Sequence, residues 1–411
     1  MSTPNDLVAR DAAVFFHQTA SSPVRAQARA VSGLHIIEAD GRRLIDLHGN
    51  TVHHLGHAHP GLIAALKAQL DELPFCPRRF TNEPAVELAE ALSGRWRGRG
   101  KARVLFATGG SDAIEIALRL ARAATGRAET VSLEGSYHGH GFAALGLSSA
   151  RLDPRLGPHL EGRHHVTPYW RLAEGGAERM LDDLRAAFRT SRDGIAALVA
   201  EPIRSNCHVP PSWLWPAVRK LCDEAGTLLI FDEIPCGLGK TGRFFAHEHF
   251  DVAPDAVVLG KALGGGIVPL AAVIADGRLN VAPELDLGHY THEKNPLTTR
   301  AGLTVLRIIE AEGLVERAAA RGQYALSAMA ALAARDATFR GGRGLGLLLA
   351  LEMAEVPDRR ERLPAIIARA IEEGVSTVAK GGDAIGFSPP LIISEPEIDD
   401  TLERIARAAA A

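Results

Sequence analysis

The sequence predicts a large three-layer α/β domain built on a mainly parallel sheet, with a smaller α+β domain beside it. Three observations lead there. Short runs that are apolar on both faces recur through the middle of the chain, as strands covered by helices require. Stretches with helical periodicity separate those runs. After about residue 300 the alternation stops, and long Ala- and Leu-rich helical stretches take over.

Residues 35–38 and 43–46 flank Asp40-Gly41, a strong hairpin signal. Strands of the main sheet are expected at 104–107, 130–133, 196–200, 227–231 and 256–259. The clearest helix is 112–124, where Ile114, Leu118 and Ala121 share one stripe; another, 216–225, ends at Gly226 as a C-cap. Helices are then expected at 303–312 and 315–334, and strands at 345–352 and 384–393. No internal repeat is present. The resulting division is an N-terminal segment, 1–50, packing with the small domain; a large domain, 51–299; and a small C-terminal α+β domain, 300–411.

The 411 residues are 46% hydrophobic, enough for a large core. Their 46 basic and 49 acidic side chains leave a formal charge of −3, which exerts no long-range pull on nucleic acid or an acidic membrane. Cys76, Cys207, Cys222 and Cys236 are scattered, without the close pairs of a zinc site or disulfide framework. Neither a secretory leader pattern nor an apolar run of ~18 residues is seen, so a soluble cytoplasmic protein with reduced thiols is expected.

Three segments carry the chemistry. Phe106-Ala107-Thr108-Gly109-Gly110-Ser111-Asp112 joins a strand to a helix, where glycines admit an anion to free backbone N–H groups. By itself this signal is weak, and a plain tight strand–helix turn is the better reading. Leu228-Leu229-Ile230-Phe231-Asp232-Glu233 is a buried strand ending in two acids, at the end where α/β sheets hold ligands. Val257-Val258-Leu259-Gly260-Lys261 puts a lysine at a strand end before Gly264-Gly265-Gly266. Burial lowers a lysine's pKa, which suits it to condense with an aldehyde. A phosphate cup, an acid for a pyridine nitrogen and a lysine for an aldehyde together match pyridoxal 5′-phosphate (PLP).

Two rivals fail on spacing. Gly239-Lys240-Thr241 would need glycine at 234 to form a nucleotide phosphate loop, and that residue is Ile234. His53, His54, His57 and His59 crowd one stretch, but after His292-Glu293 the second histidine of an HExxH motif is replaced by Pro296, and no metal is expected.

Over nearly its whole length the chain resembles the class III aminotransferases, which are fold-type I PLP enzymes. The shared blocks are His57-Ala58-His59-Pro60, Thr81-Asn82-Glu83-Pro84, Gly110-Ser111, Tyr137-His138-Gly139, Glu201-Pro202, Asp232-Glu233, Lys261 and Thr291 with Asn295-Pro296. The resemblance implies Lys261 as the Schiff-base lysine and Asp232 as partner of the pyridine nitrogen. It implies Tyr137 stacked on the ring, with Gly110, Ser111, His138 and Glu201 as further cofactor contacts. Thr291 would reach the cofactor phosphate of a partner subunit, implying a homodimer with shared active sites.

The departures fall on the substrate side. An arginine that family members use for an α-carboxylate aligns with Gly386, before Pro389-Pro390-Leu391. The usual Gln-Gly-Glu-Gly is Arg204-Ser205-Asn206-Cys207, the usual glutamine after the acid pair is Pro235, and the usual glycines before Asn295 are Glu293-Lys294. With His48-Gly49-Asn50, Val52-His53 and the 73–82 segment, the chain is similar to a subgroup acting on aminophosphonates. That similarity implies a small amine substrate, (R)-1-hydroxy-2-aminoethylphosphonate, losing ammonia to give phosphonoacetaldehyde. The alternative is transfer of an amino group to pyruvate or 2-oxoglutarate. A non-catalytic scaffold is disfavoured because Lys261 and Asp232 are both kept. Arg78, Arg79 and Arg204 are candidates for the substrate anion, since guanidinium pairs bidentately with such oxygens.

Overall fold

The computed structural model describes residues 4–18, 24–149, 153–156 and 160–410. Residues 1–3 and 19–23 of the expected N-terminal segment, and Ala411, lie outside that set. The first strands are β1 (Ala28–Ser32), β2 (His35–Glu38) and β3 (Arg43–Asp46). The Asp40-Gly41 hairpin forms as expected: Gly41 takes φ +91°, and Asp40 accepts the Arg42 amide at 2.9 Å. A second group is β4 (Ala102–Ala107), β5 (Glu129–Leu133), β6 (Arg163–Val166), β7 (Ile195–Ala200), β8 (Leu228–Asp232), β9 (Ala256–Leu259) and β10 (Ala271–Asp276). The last are β11 (Phe339–Leu345), β12 (Leu348–Met353), β13 (Val375–Ser376), β14 (Ala379–Lys380) and β15 (Ala384–Phe387).

The central sheet has seven strands in the order β4-β10-β9-β8-β7-β5-β6. Its neighbours from β9 to β6 are parallel, while β10 runs antiparallel to both β4 and β9. Alternate residues of these strands enter two different cores. Leu228, Ile230, Ala256 and Val258 join the cluster under the Gly110–Thr125 helix, whereas Leu229, Phe231, Val257 and Leu259 join the larger cluster opposite. This period-2 division, with both faces covered, is the physical content of a three-layer α/β fold.

The C-terminal elements form a second sheet, β11-β12-β15-β14, against the long helix Leu314–Arg335. The expected strand at 345–352 is instead the junction of two: the chain turns at Gly346-Leu347 between β11 and β12. Three glycines hid β11 from a reading based on apolar periodicity. The expected strand at 384–393 stops at Phe387, because Pro389 and Pro390 lack the N–H that a ladder needs. The N-terminal hairpin pairs with this part of the chain, β3 lying parallel to β13 through Ile45 and Val375. Among the described residues no helix is long and apolar enough to cross a membrane.

One joint depends on two glycines. A Cβ on Gly322, inside the long helix, would sit 2.1 Å from the Gly346 carbonyl oxygen, and one on Gly346 would meet the backbone of Thr241 at 2.4 Å. Alanine normally improves a helix by ~1 kcal/mol over glycine. Gly322→Ala is nonetheless expected to lower the melting temperature, through overpacking of about 1–3 kcal/mol. Gly94→Ala, where a Cβ meets nothing within 4 Å, is the control expected to be neutral or stabilising; differential scanning fluorimetry on both variants checks this.

Candidate active site

Strands β5, β7, β8 and β9 are parallel, and β10 reverses direction between β9 and β4, so the C-terminal ends of β4, β5, β7, β8 and β9 lie along one edge. Those ends deliver Gly110-Ser111, Tyr137-His138, Glu201, Asp232 and Lys261 in turn. Ligands of open α/β sheets bind at this edge. Ile234 locks three of the ends together. Its amide donates to Asp232 Oδ1 at 3.1 Å, a Cβ on Gly110 would lie 2.8 Å from its side chain, and one on Gly260 would lie 3.4 Å away.

Asp232 is only 2% exposed. A carboxylate so deeply placed needs hydrogen bonds, and His138 Nδ1 donates to its Oδ2 at 2.8 Å. The His138 ring is also buried, and its Nε2 has no partner among the described residues. Its neighbour Glu233 turns away to accept from the Ala246 and His247 amides and from His247 Nδ1. The two adjacent acids therefore have separate duties: Glu233 ties a loop, and Asp232 faces the strand-end crevice.

The Gly110–Thr125 helix begins at the cup with Gly109 as N-cap, and no side chain caps it. Its first N–H groups are thus open to an anion. Ser111 Oγ accepts the His140 amide at 3.0 Å, tying the cup to the Tyr137-His138-Gly139 turn. There Gly139 has φ +125°, and a Cβ would collide with Ser111. The exposed Tyr137 ring meets His140 edge-on at 5.4 Å.

Lys261 is half-buried, with neither an ion pair nor a side-chain hydrogen bond among the described residues. Its φ is +45°, unusual for a side chain this long, and such strain concentrates at functional positions. The following Gly266 packs against Val52, bringing the 48–52 turn alongside the lysine loop.

The three candidate substrate arginines differ. Arg204 is held by Glu201, donates to the Gly135 carbonyl at 2.8 Å and lies 5.1 Å from the Trp170 ring centroid. Its charge is therefore already paired. Arg78 and Arg79 are exposed on the 73–82 segment. That segment packs on the Thr291 region: Phe75 meets His292 edge-on at 5.6 Å, and Asn82 donates to the Lys294 carbonyl at 2.9 Å. Thr291 itself is exposed. Asn82 and Asn295 prove to be N-caps, accepting from Ala85 and Thr298, with Pro84 and Pro296 in the first turns.

Sequence reasoning did not foresee a cluster beneath the 48–59 stretch. Asp46, His53 and His57 bring one potential ligand atom each to within 4.8 Å of one another. His57 Nε2 donates to Asp46 Oδ2 at 2.9 Å, and the His48 and Gly49 amides donate to Oδ1. Burial alone would raise the Asp46 carboxyl, but His57, His53 and these amides bring it down to about 2. Burial and the Lys240 ammonium push His53 down to about 4. Lys240, discarded as a phosphate-loop lysine, is fully buried and donates to the Pro389 carbonyl, and burial takes it down to about 7.

A helix N-terminus open to an anion, a buried acid and a strand-end lysine on one sheet edge define a PLP-dependent enzyme of the α/β type. Comparison with known proteins names the family. The model for "aminotransferase class-III" matches residues 17–409, and the chain belongs to that family. It is 35% identical to the (R)-1-hydroxy-2-aminoethylphosphonate ammonia-lyase of Vibrio splendidus, over 98% of this chain and 90% of that protein. It is 31% identical to the acetylornithine aminotransferase of Caldanaerobacter subterraneus, over 90% of this chain and 92% of that one. Among solved structures, a PLP-bound amine transaminase from an uncultivated Pseudomonas species superposes with a TM-score of 0.88 at 30% identity, covering 97% of this chain and 98% of that one. The cofactor is PLP, and the open helix N-terminus and side-chain-free Gly110 suit its phosphate.

The Asp46 cluster yields a stability prediction. A carboxyl held below its unfolded value stabilises the fold above the ordinary carboxylate range and loses that contribution as pH falls toward about 2. Asp46→Asn is expected to cost roughly 2 kcal/mol at pH 7. The gap to the parent should close between about pH 4 and pH 2, as read from urea unfolding midpoints across that range.

Proposed function

We propose that this enzyme removes ammonia from a small hydroxylated aminoalkylphosphonate, converting (R)-1-hydroxy-2-aminoethylphosphonate to phosphonoacetaldehyde. The observation that carries the reading is at residue 386. A buried glycine stands there, and a Cβ would already meet the Val378 carbonyl oxygen at 3.1 Å, so no guanidinium projects from this strand end. A transaminase must accept a keto acid in its second half-reaction, and a carboxylate is best held by such a guanidinium. The likeness to the Vibrio ammonia-lyase supports the same reading. The likeness to acetylornithine aminotransferase favours the alternative, amino transfer to pyruvate or 2-oxoglutarate.

PLP, when bound, supplies an electron sink for a carbanion next to the substrate nitrogen. In this reading Lys261 would hold its aldehyde carbon, Gly110 and Ser111 its phosphate, and Tyr137 its ring face. Asp232 keeps a proton on the pyridine nitrogen, and His138 fixes the orientation of Asp232 through its Nδ1–H. Lys261 Nζ, once freed, would take the proton from the carbon bearing nitrogen. The hydroxyl on the neighbouring carbon would take up that proton and leave as water, and a second water would hydrolyse the freed unsaturated amine to phosphonoacetaldehyde and ammonia. Glu201 and Arg204 brace each other and the Gly135 turn. We also infer a homodimer with shared active sites. The exposed Thr291, Phe75 and Phe80 on adjoining segments support that assembly.

Incubation of the purified holoenzyme with the hydroxylated aminophosphonate and no keto acid is expected to release ammonia over many turnovers. A requirement for pyruvate or 2-oxoglutarate would replace the lyase reading by the transaminase one. Lys261→Ala is expected to abolish the visible absorbance band of the bound cofactor, and a surviving band would remove Lys261 from its role. Asp232→Asn should lower kcat by ~100-fold or more, as loss of a charge acting on the reacting system does, with the fold unchanged by circular dichroism.

A further inference from the structure

Four cations stand around the Ala384–Phe387 strand end and the 204–207 turn, and three are already occupied. Arg204 is paired with Glu201. Arg343 is paired with Glu352 at 2.8 Å and Asp383 at 2.9 Å. Lys240 is fully buried on the Pro389 carbonyl. The fourth, Lys380, is half-buried and has no ion pair among the described residues. Its Nζ donates to the Ser205 carbonyl at 2.8 Å. An ammonium has three donors, so two remain for a ligand.

Lys380 also joins two stretches that are far apart in sequence. A Cβ on Gly386 would lie 3.2 Å from Lys380 Cε and 3.4 Å from its Cγ. The glycine is thus what lets the lysine stem lie across this strand end, and the stem carries the charge on to Ser205. The same strand end is tied to the lysine loop. Ser388 donates to the Leu47 carbonyl at 2.9 Å, and the turn that follows packs against Gly266. His48 begins that turn, held through its amide to Asp46 Oδ1 at 3.0 Å. It is half-buried, and burial, together with the nearby Lys380 and Lys261 charges, lowers its pKa.

We infer that Lys380, assisted by the His48 ring, is the receptor for the anionic group of the substrate, and that this group is a phosphonate. The inference rests on the proposed aminophosphonate reading and names the residues that would realise it. A lysine is a point charge with rotatable donors, which suits a tetrahedral oxyanion; a planar carboxylate is better matched by the guanidinium fork missing from residue 386.

The test is calorimetric titration of the PLP-loaded holoenzyme with methylphosphonate, which has no amine to react, and with acetate for comparison. Lys380→Met keeps the stem against Gly386 and removes the charge; Lys380→Arg restores a cation. Methylphosphonate affinity is expected to fall ~10-fold or more in Lys380→Met and to return to within about threefold of the parent in Lys380→Arg, as charge-assisted hydrogen bonds predict. His48→Ala should weaken binding less, and the visible absorbance of the cofactor should be the same in all variants. Unchanged methylphosphonate binding in Lys380→Met overturns the inference and leaves the lyase reading standing. If the parent protein binds acetate but no methylphosphonate, the phosphonate reading and this inference both fall.

Discussion

Burial of the Asp232 carboxylate is the constraint around which the site is organised. A charge this far from water is tolerated only when hydrogen bonds replace the lost solvent. His138 supplies one and the Ile234 amide another. Each of these obligations shapes its surroundings. His138 must enter the interior from the turn after β5, so that turn is tied to Ser111 at the helix N-terminus. Ile234 must curl back toward Asp232, which brings its side chain against Gly110 and Gly260. Satisfying one acid therefore sets the spacing of the phosphate cup, the turn bearing Tyr137 and the lysine loop.

The substrate side follows a different rule. There the chain places charges in pairs, and the pairing decides which cation is available. Glu201 takes Arg204, and Glu352 and Asp383 take Arg343. Lys380 makes no ion pair among the described residues, yet it is held in place by its stem against Gly386 and by the Ser205 carbonyl. The differences at 386 and 204–207 look independent in sequence, but they touch the same side chain.

The two ends of the chain meet around the site. β3 pairs with β13, Asp46 holds the turn that runs past Lys261, and Lys240 reaches from the β8–β9 connection to Pro389. These links are buried, so the geometry near Lys261 depends on elements more than a hundred residues away. Glycine contacts such as Gly322 on Gly346 let backbone approach backbone where any side chain would hold the elements apart.

Much of this was legible in the sequence, because local rules suffice for it. Apolar runs bounded by helical patterns marked the parallel strands, Asp40-Gly41 marked the hairpin, and Gly226 marked a helix end through its left-handed conformation. Lys261, Asp232 and Gly110-Ser111 were legible as one candidate site because each stands at a strand end, where an α/β sheet has one place to put it. Strand β11 was missed because glycine carries no hydrophobic signal; β10 was also outside the expected strands, and period-2 burial could not have shown its antiparallel direction. The tertiary structure alone decided which charges are free. Arg343 and Lys380 are both cations in the sequence, and only folding brings Glu352 and Asp383 to one and leaves the other with no ion pair among the described residues and donors to spare. Ion pairing is a property of distance across the fold, and spacing along the chain does not contain it.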